Sequence, residues 1–297
     1  AENWQRGFGA DFDDSDQSAF EVSDDERRTE YEKRWAKGGL AFLAVYNDLV
    51  FDMKANDTAR EFFKEKIAER VNDPELAEKL VPVTPIGCKR LCVDSDYYEI
   101  YNQDHVKLVD LKQTPITEIR GDTIVTSGGE YKVDAIILAT GFDAMTGAIT
   151  NVDIQGEGGK KLQDKWAPGP KAYLGLATAG FPNLFIVTGP GSPSVLSNML
   201  PSIEQHVEWI SDCIEYMNDN QHVAIRVDQQ AEEDWVSHVN EVAQTSVYPG
   251  CNSWYMGANV EGKTRVFMPY LGVPPYVEKC NQVVAAGYEG FVLSGNG

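Results

Sequence analysis

The sequence predicts an α/β fold, and three observations carry that expectation. The first is the run Ala135-Ile136-Ile137-Leu138-Ala139, bounded by Asp134 and by Thr140-Gly141. An unbroken apolar run of this length reads as a parallel strand buried on both faces, because a half-exposed strand would alternate with polar residues. The second is a set of segments on either side of it whose apolar residues recur at helical spacing. The third is a block of short β-branched and aromatic runs from 106 to 133, punctuated by Gly121-Asp122 and Gly128-Gly129, which reads as a meander.

Taken in order, residues 1–22 are acidic and turn-rich, with Asp11, Asp13, Asp14, Asp16 and Glu21 around Phe8, Phe12 and Phe20, and read as a surface loop. Ser23 followed three residues later by Glu26 forms a capping box that starts a helix. Tyr31, Trp35, Leu40, Phe42, Leu43, Tyr46, Leu49 and Val50 continue the helical spacing, interrupted at Gly38-Gly39. Asn56-Asp57 is expected to cap a further helix reaching about Val71, and Asp73-Pro74 sets proline in the first turn of another. Strands are expected at 106–109, 116–119, 124–126, 131–133 and 135–139, with one more buried strand at 184–187. Helices are expected at 196–218, 230–245 and 277–286.

Composition bounds the function. With 42% hydrophobic and 10% aromatic residues in 297, the chain can bury one large core or two smaller ones. Its formal charge of −20 argues against binding of nucleic acid or an acidic membrane, either of which would need a basic stripe. No apolar run approaches the roughly 18 residues of a membrane span, and the start has neither region of a signal peptide. The five cysteines, Cys88, Cys92, Cys213, Cys251 and Cys280, are odd in number and scattered. This argues against a disulfide framework and for a reducing, cytoplasmic setting. Cys88 and Cys92 lack a second ligand pair nearby, and His105, His222 and His238 show no metal spacing, so no metal site is expected. Glu204 and His206 stand two apart on a helix and do not face one another; they receive no catalytic role.

Gly141 permits a turn at the carboxyl end of the apolar run, where open α/β sheets place their ligands. Alongside it stand Pro85-Ile86-Gly87-Cys88-Lys89-Arg90 with Asp96-Tyr97-Tyr98-Glu99, Phe181-Pro182-Asn183 leading to Gly189-Pro190-Gly191-Ser192-Pro193-Ser194, Ser202-Ile203-Glu204-Gln205-His206, and Ser253-Trp254-Tyr255 through Arg265-Val266-Phe267. From about Tyr31 to Ser294 their order and spacing resemble the carboxyl-terminal half of the Baeyer-Villiger monooxygenases, most closely the phenylacetone, steroid and cyclic-ketone branch.

The resemblance implies two dinucleotide-binding, Rossmann-like domains of a flavoprotein monooxygenase, each partly present, plus a helical insertion. Residues 1–84 would be the insertion with its acidic loop, 85–142 the end of the NADP-binding domain, and 143–297 the end of the FAD-binding domain. The 297 residues contain no Gly-x-Gly-x-x-Gly loop, and the family's Phe, Gly, His and Trp fingerprint is absent. The chain also opens on Ala1 rather than methionine. It is therefore expected to be a fragment whose partner is the amino-terminal half of the same protein.

By the same resemblance the cofactors are FAD and NADPH, and the substrates are O2 and a small ketone, converted to an ester or lactone through a flavin peroxide. Arg90 maps to the family's essential arginine, which suits an oxygen bearing negative charge. Lys89 maps to the contact with the NADPH 2′-phosphate, and Trp254 to a loop that folds over NADP. An ordinary packing role beside Tyr248, Tyr255 and Phe267 is the alternative for Trp254. Thr140, Gly141, Asp143 and Met199 map to cofactor-binding positions, and Ser194, Val195 and Leu196 to a bulge lining the substrate pocket. Gly272 stands alone where the family has two glycines, which puts ligand contacts at that loop in question. Two alternatives stay open: a related flavin-dependent N- or S-oxygenase, which has no need of Arg90, and a catalytically incompetent fragment or interaction module.

Overall fold

The structure, a computed structural model, describes residues 5–10, 12, 14–258, 262 and 266–295. Readings that touch Ala1, Asp11, Asp13 or Arg265 lie outside the described residues. The chain divides into two compact units, one of residues 1–59, 84–92 and 142–297, the other of residues 60–83 and 93–141.

In the larger unit, α1 (Asp24–Lys37) opens with the expected capping box: the Ser23 hydroxyl accepts from the Glu26 N–H, and the Glu26 carboxylate accepts from the Ser23 N–H at 2.9 Å. It stops at Gly38, whose φ of 75° suits glycine, and a 3-10 turn (Gly39–Ala44) then buries Phe42 and Leu43. α2 (Met53–Ala68) starts before the expected Asn56-Asp57 cap. The Asp52 carboxylate accepts from the Lys54 and Ala55 N–H groups instead, which frees Asn56 for a buried bridge described below. From Arg60 onward α2 belongs to the smaller unit.

Short helices α4 (Gly147–Thr150) and α5 (Leu162–Trp166) lie in the larger unit. Its main core forms between α6 (Met199–Asp219), α7 (Gln229–Gln244) and α8 (Val273–Ala285), which the sequence anticipates to within a few residues. Each presents one stripe at helical spacing: Trp209, Cys213 and Met217 on α6, Trp235, Val239 and Ala243 on α7, Tyr276, Cys280 and Val283 on α8. α6 packs on α8 and on strand β4 (His222–Val227), which pairs antiparallel with β5 (Phe291–Gly295) in a register that faces Ile225 with Leu293. This pair is not among the expected strands, because both are short and lie far apart in the chain.

The smaller unit holds α3 (Pro74–Leu80), capped by Asp73 as expected, over a cluster of Ile67, Val71, Ala77 and Val81. It also holds the expected meander β1 (Ile116–Arg120), β2 (Thr123–Thr126) and β3 (Gly129–Lys132), in that order and antiparallel. Arg70 fastens this unit. Its guanidinium forks to Glu99 (2.5 and 2.8 Å) and Asp94 (2.8 Å) and lies over the Tyr98 ring.

Three expected strands are not strands here. Residues 106–109, 135–139 and 184–187 have no ladder partner among the described residues. The 135–139 run is also far from buried, with Ile137 89% and nearby Phe142 93% exposed. An apolar run becomes a parallel strand when neighbouring strands satisfy its N–H and C=O groups; without them the intrinsic pattern cannot produce the ladder.

Candidate functional site

The Arg90 segment is pinned at its base. Asn56, fully buried, accepts from the Ile86 N–H at 2.8 Å and donates to the Ile86 and Leu49 carbonyls, both at 2.9 Å. Next comes Gly87 at φ +94°, where a Cβ would approach Leu43 Cδ2 to 3.2 Å. Both the conformation and the close approach call for glycine. Cys88 then enters the main core, while Lys89 and Arg90 emerge exposed.

Arg90 donates through Nη2 to the Val195 carbonyl. On another side it meets the Tyr255 hydroxyl: burial pushes that phenol's pKa up, and the positive charge of Arg90 together with its hydrogen bond offsets part of the rise. So Arg90, Val195 and Tyr255 converge, whereas 165 residues separate the ends of that set in sequence (Arg90 to Tyr255). The sequence marks Tyr255 only as a packing neighbour of Trp254 and gives it no site role; its place directly after Trp254 is the available signal.

The bulge is a 3-10 turn (Ser194–Leu196) with Ser194 at φ +44°. Two donors hold this unusual backbone, the Ser197 N–H (3.1 Å) and the Ser197 hydroxyl (2.9 Å), both to the Ser194 carbonyl. Ser202, on the first turn of α6, faces the Ser197 hydroxyl at 2.9 Å. Leu196 lines an apolar cavity of about 300 Å³ with Phe8, Leu43, Val50, Tyr248 and Leu271; Arg90 does not line it. Met199 is the first residue of α6, behind the Asn198 cap.

The glycine-rich loop before the bulge is tightly held. Gly191, at φ +91°, donates to the Met268 carbonyl (2.6 Å), and its own carbonyl accepts from the Trp235 indole N–H (3.0 Å). A Cβ on Gly191 would stand 2.9 Å from that nitrogen. Beneath the loop, His206 accepts at Nδ1 from the Thr188 N–H (2.8 Å), so its proton sits on Nε2, which donates to the Tyr276 hydroxyl (2.7 Å). Tyr276 in turn donates its O–H to the Leu174 carbonyl (2.7 Å). Burial lowers the His206 pKa to about 4. The neutral ring thus bridges the Thr188 N–H and the Tyr276 hydroxyl.

Trp254 heads a 3-10 turn (Trp254–Met256) closed by Gly257 in the left-handed region, and its ring lies 4.2 Å from that of Tyr255. Thr140 and Gly141 are exposed at the end of the apolar run. Asp143 instead folds locally, its carboxylate accepting from the Thr146 hydroxyl at 3.2 Å. Among the described residues no cluster of His, Cys, Asp and Glu suits a metal ion, and no helix is long and apolar enough to cross a membrane.

Scattered cysteines suggested no disulfides, yet Cys88 and Cys251 are bonded, their Cα atoms 5.6 Å apart across 163 residues of sequence. Sequence spacing is silent about a pair that tertiary folding assembles. Cys213 and Cys280 are buried free thiols pushed up to about 11 and about 12 by burial, and Cys92 is free and exposed.

No family model matches the chain. Individual proteins do. Cyclopentanone 1,2-monooxygenase of Comamonas sp. is 40% identical over 291 residues, 96% of this chain and 53% of that protein. Phenazine N-monooxygenase of Lysobacter antibioticus is 40% identical over 286 residues, 95% of this chain and 52% of that protein. Among solved structures, oxidized steroid monooxygenase bound to NADP superposes with a TM-score of 0.92 at 46% identity, over 99% of this chain and 55% of that one. Baeyer-Villiger monooxygenases are thus among the chain's homologues. OTEMO in complex with FAD and NADP matches with the same TM-score of 0.92 at 34% identity, over 98% of this chain and 55% of that one. Structures of these relatives thus carry NADP, or FAD and NADP together, and the chain spans about half the length of the curated relatives named above.

Proposed function

We propose that the chain is the carboxyl-terminal half of a Baeyer-Villiger monooxygenase that uses FAD, NADPH and O2 to convert a small ketone to an ester or lactone. The observation that carries this reading is the placement of Arg90, hydrogen-bonded to the Val195 carbonyl of the bulge and adjoining Tyr255. Oxygen insertion beside a carbonyl puts negative charge on oxygen. A guanidinium keeps its proton to above about pH 12, and donors oriented before the charge develops stabilise it most. Tying one arm to Val195 orients the rest of the Arg90 fork.

The residues present suit both cofactors. In a chain of net charge −20, Lys89 and Arg90 are adjacent and exposed, so an anionic ligand is favoured locally against the global field. Lys89 would hold the NADPH 2′-phosphate, and the Trp254 indole N–H its ribose. Thr140, Gly141, Asp143 and Met199 would contact cofactor, while Ser194, Val195 and Leu196 would shape the ketone pocket. FAD, when bound, supplies the activation of O2. In this reading residues 1–84 form the helical insertion, 85–142 end the NADP domain and 143–297 end the FAD domain. The amino-terminal half of the same protein is the partner that brings the glycine-rich loops, and exposed Ile137, Leu138 and Phe142 would become buried against it. The need for NADPH points to the cytoplasm.

The phenazine N-monooxygenase relative supports a second reading, oxygenation of nitrogen. That reaction forms no oxyanion from a carbonyl and makes no demand on Arg90. The test joins this chain to its amino-terminal half and compares a cyclic ketone with a heteroaromatic amine, in the native sequence and in Arg90→Ala. Ketone oxygenation is expected to fall at least about 100-fold in the variant, with NADPH oxidation retained. Oxidation of the amine alone, unaffected by Arg90→Ala, would overturn the first reading in favour of the second.

A further inference from the structure

We propose that Cys88 and Cys251 form a site of reversible two-electron oxidation, whose closure ties the Lys89-Arg90 segment to the Trp254-Tyr255 segment. Both sulfur-bearing residues are buried, Cys88 directly before Lys89 and Cys251 three residues before Trp254. The Lys89-Arg90 segment is already anchored at Ile86 by Asn56 and at Arg90 by Val195. The second segment is held by burial of Cys251 and Tyr255 in the main core, by the Met268 N–H on the Tyr255 carbonyl (3.0 Å) and by the Tyr255 contact with Arg90. The covalent link is therefore the strongest tie between the two.

An independent observation points the same way. The Ser253 hydroxyl, between Cys251 and Trp254, is buried and has no hydrogen-bond partner among the described residues. A buried orphan hydroxyl disfavours the arrangement that contains it, so the segment gains by shifting once nothing holds it. The disulfide supplies the hold. Closing it removes two protons and two electrons from the thiols, which hydrogen peroxide accepts in becoming two water molecules. Dithiothreitol returns them and ends as its own cyclic disulfide. Oxidation would thus lock the Trp254 segment against the arginine segment, and reduction would release it.

That the locked segments serve NADPH and ketone rests on the function proposed above; the link itself does not. The experiment accordingly uses the 297-residue chain without cofactor. Peroxide-treated and dithiothreitol-treated samples are alkylated and digested without further reduction, the peptides are identified by mass, and amide hydrogen exchange is followed in both. The expected result is a Cys88–Cys251 cross-linked peptide in the oxidised sample, absent after dithiothreitol, with exchange across 86–91 and 251–257 at least tenfold slower when oxidised. A Cys88→Ala, Cys251→Ala double variant should lose the redox response. Free Cys88 and Cys251 after peroxide, a cross-link through Cys92, Cys213 or Cys280 instead, or a correct link with unchanged exchange would each overturn the proposal. A wrong cofactor assignment would appear in the ketone assay and leave this result unaltered.

Discussion

The Arg90 guanidinium donates to the main-chain carbonyl of Val195, 105 residues later in the chain. A side chain expected to act on a charged oxygen is thereby braced by the same bulge expected to shape the substrate pocket. Any shift of that bulge moves the arginine with it.

Bracing needs the planar fork, since a guanidinium can hold Val195, meet Tyr255 and still present a donor outward. Lysine keeps the charge but has a single compact ammonium head. In the enzyme joined to its amino-terminal half, Arg90→Lys is expected to lower kcat for ketone oxygenation by roughly tenfold to 100-fold with little change in KM. Steady-state kinetics checks this, and native kcat in Arg90→Lys would refute it.

Asn56 satisfies three buried backbone groups, on Leu49 and Ile86. Asn56→Ala leaves them unpaired at about 1–3 kcal/mol for each buried orphan, so urea denaturation of the variant should show a loss of about 3 kcal/mol or more. The loss should be accompanied by faster amide exchange at Ile86.

His206 gives the fold an acid dependence. Its folded pKa, near 4 through burial, lies below the value of about 6.5 in an unfolded chain. Between those limits the unfolded state binds more protons, so stability is full above pH 6.5 and declines as pH falls toward 4. The change should approach 3 kcal/mol, at about 1.4 kcal/mol for each unit. His206→Gln should flatten that part of a stability–pH curve measured by chemical denaturation, at the expense of lower stability at pH 7.

Glu232, 2% exposed, holds the Lys165 ammonium at 2.8 Å and also accepts from the Thr178 hydroxyl and the Ala179 N–H, both at 2.8 Å. Burial pulls the Lys165 pKa down, with Glu232 acting against that fall. Glu232→Leu strands the lysine and is expected to cost about 3–5 kcal/mol. The double variant Lys165→Met, Glu232→Leu should recover a good part of that loss, as thermal unfolding of the four corners of the cycle would reveal.

Helices were legible because each carries its own signal. Ser23 and Glu26 close their box within four residues, and the stripes Trp209-Cys213-Met217 and Trp235-Val239-Ala243 repeat every turn. The β1–β3 meander was equally plain, its strands joined by short glycine turns. Asn56 misled because asparagine suits a helix cap, while the folded chain used Asp52 for that purpose and Asn56 for a long-range bridge.

The sequence by itself determined the α/β class, the helices of the larger unit, the meander and, through the Gly87 to Arg90 and Ser253 to Tyr255 patterns, which segments to compare with a known family. Tertiary structure alone decided that Arg90 would meet Val195 and Tyr255, that Cys88 would bond Cys251, and that β4 would find β5. It also left residues 135–139 unpaired. Helices and tight turns are closed by neighbours a few residues away, whereas strand ladders, disulfides and converging side chains need partners that only the folded chain brings within reach.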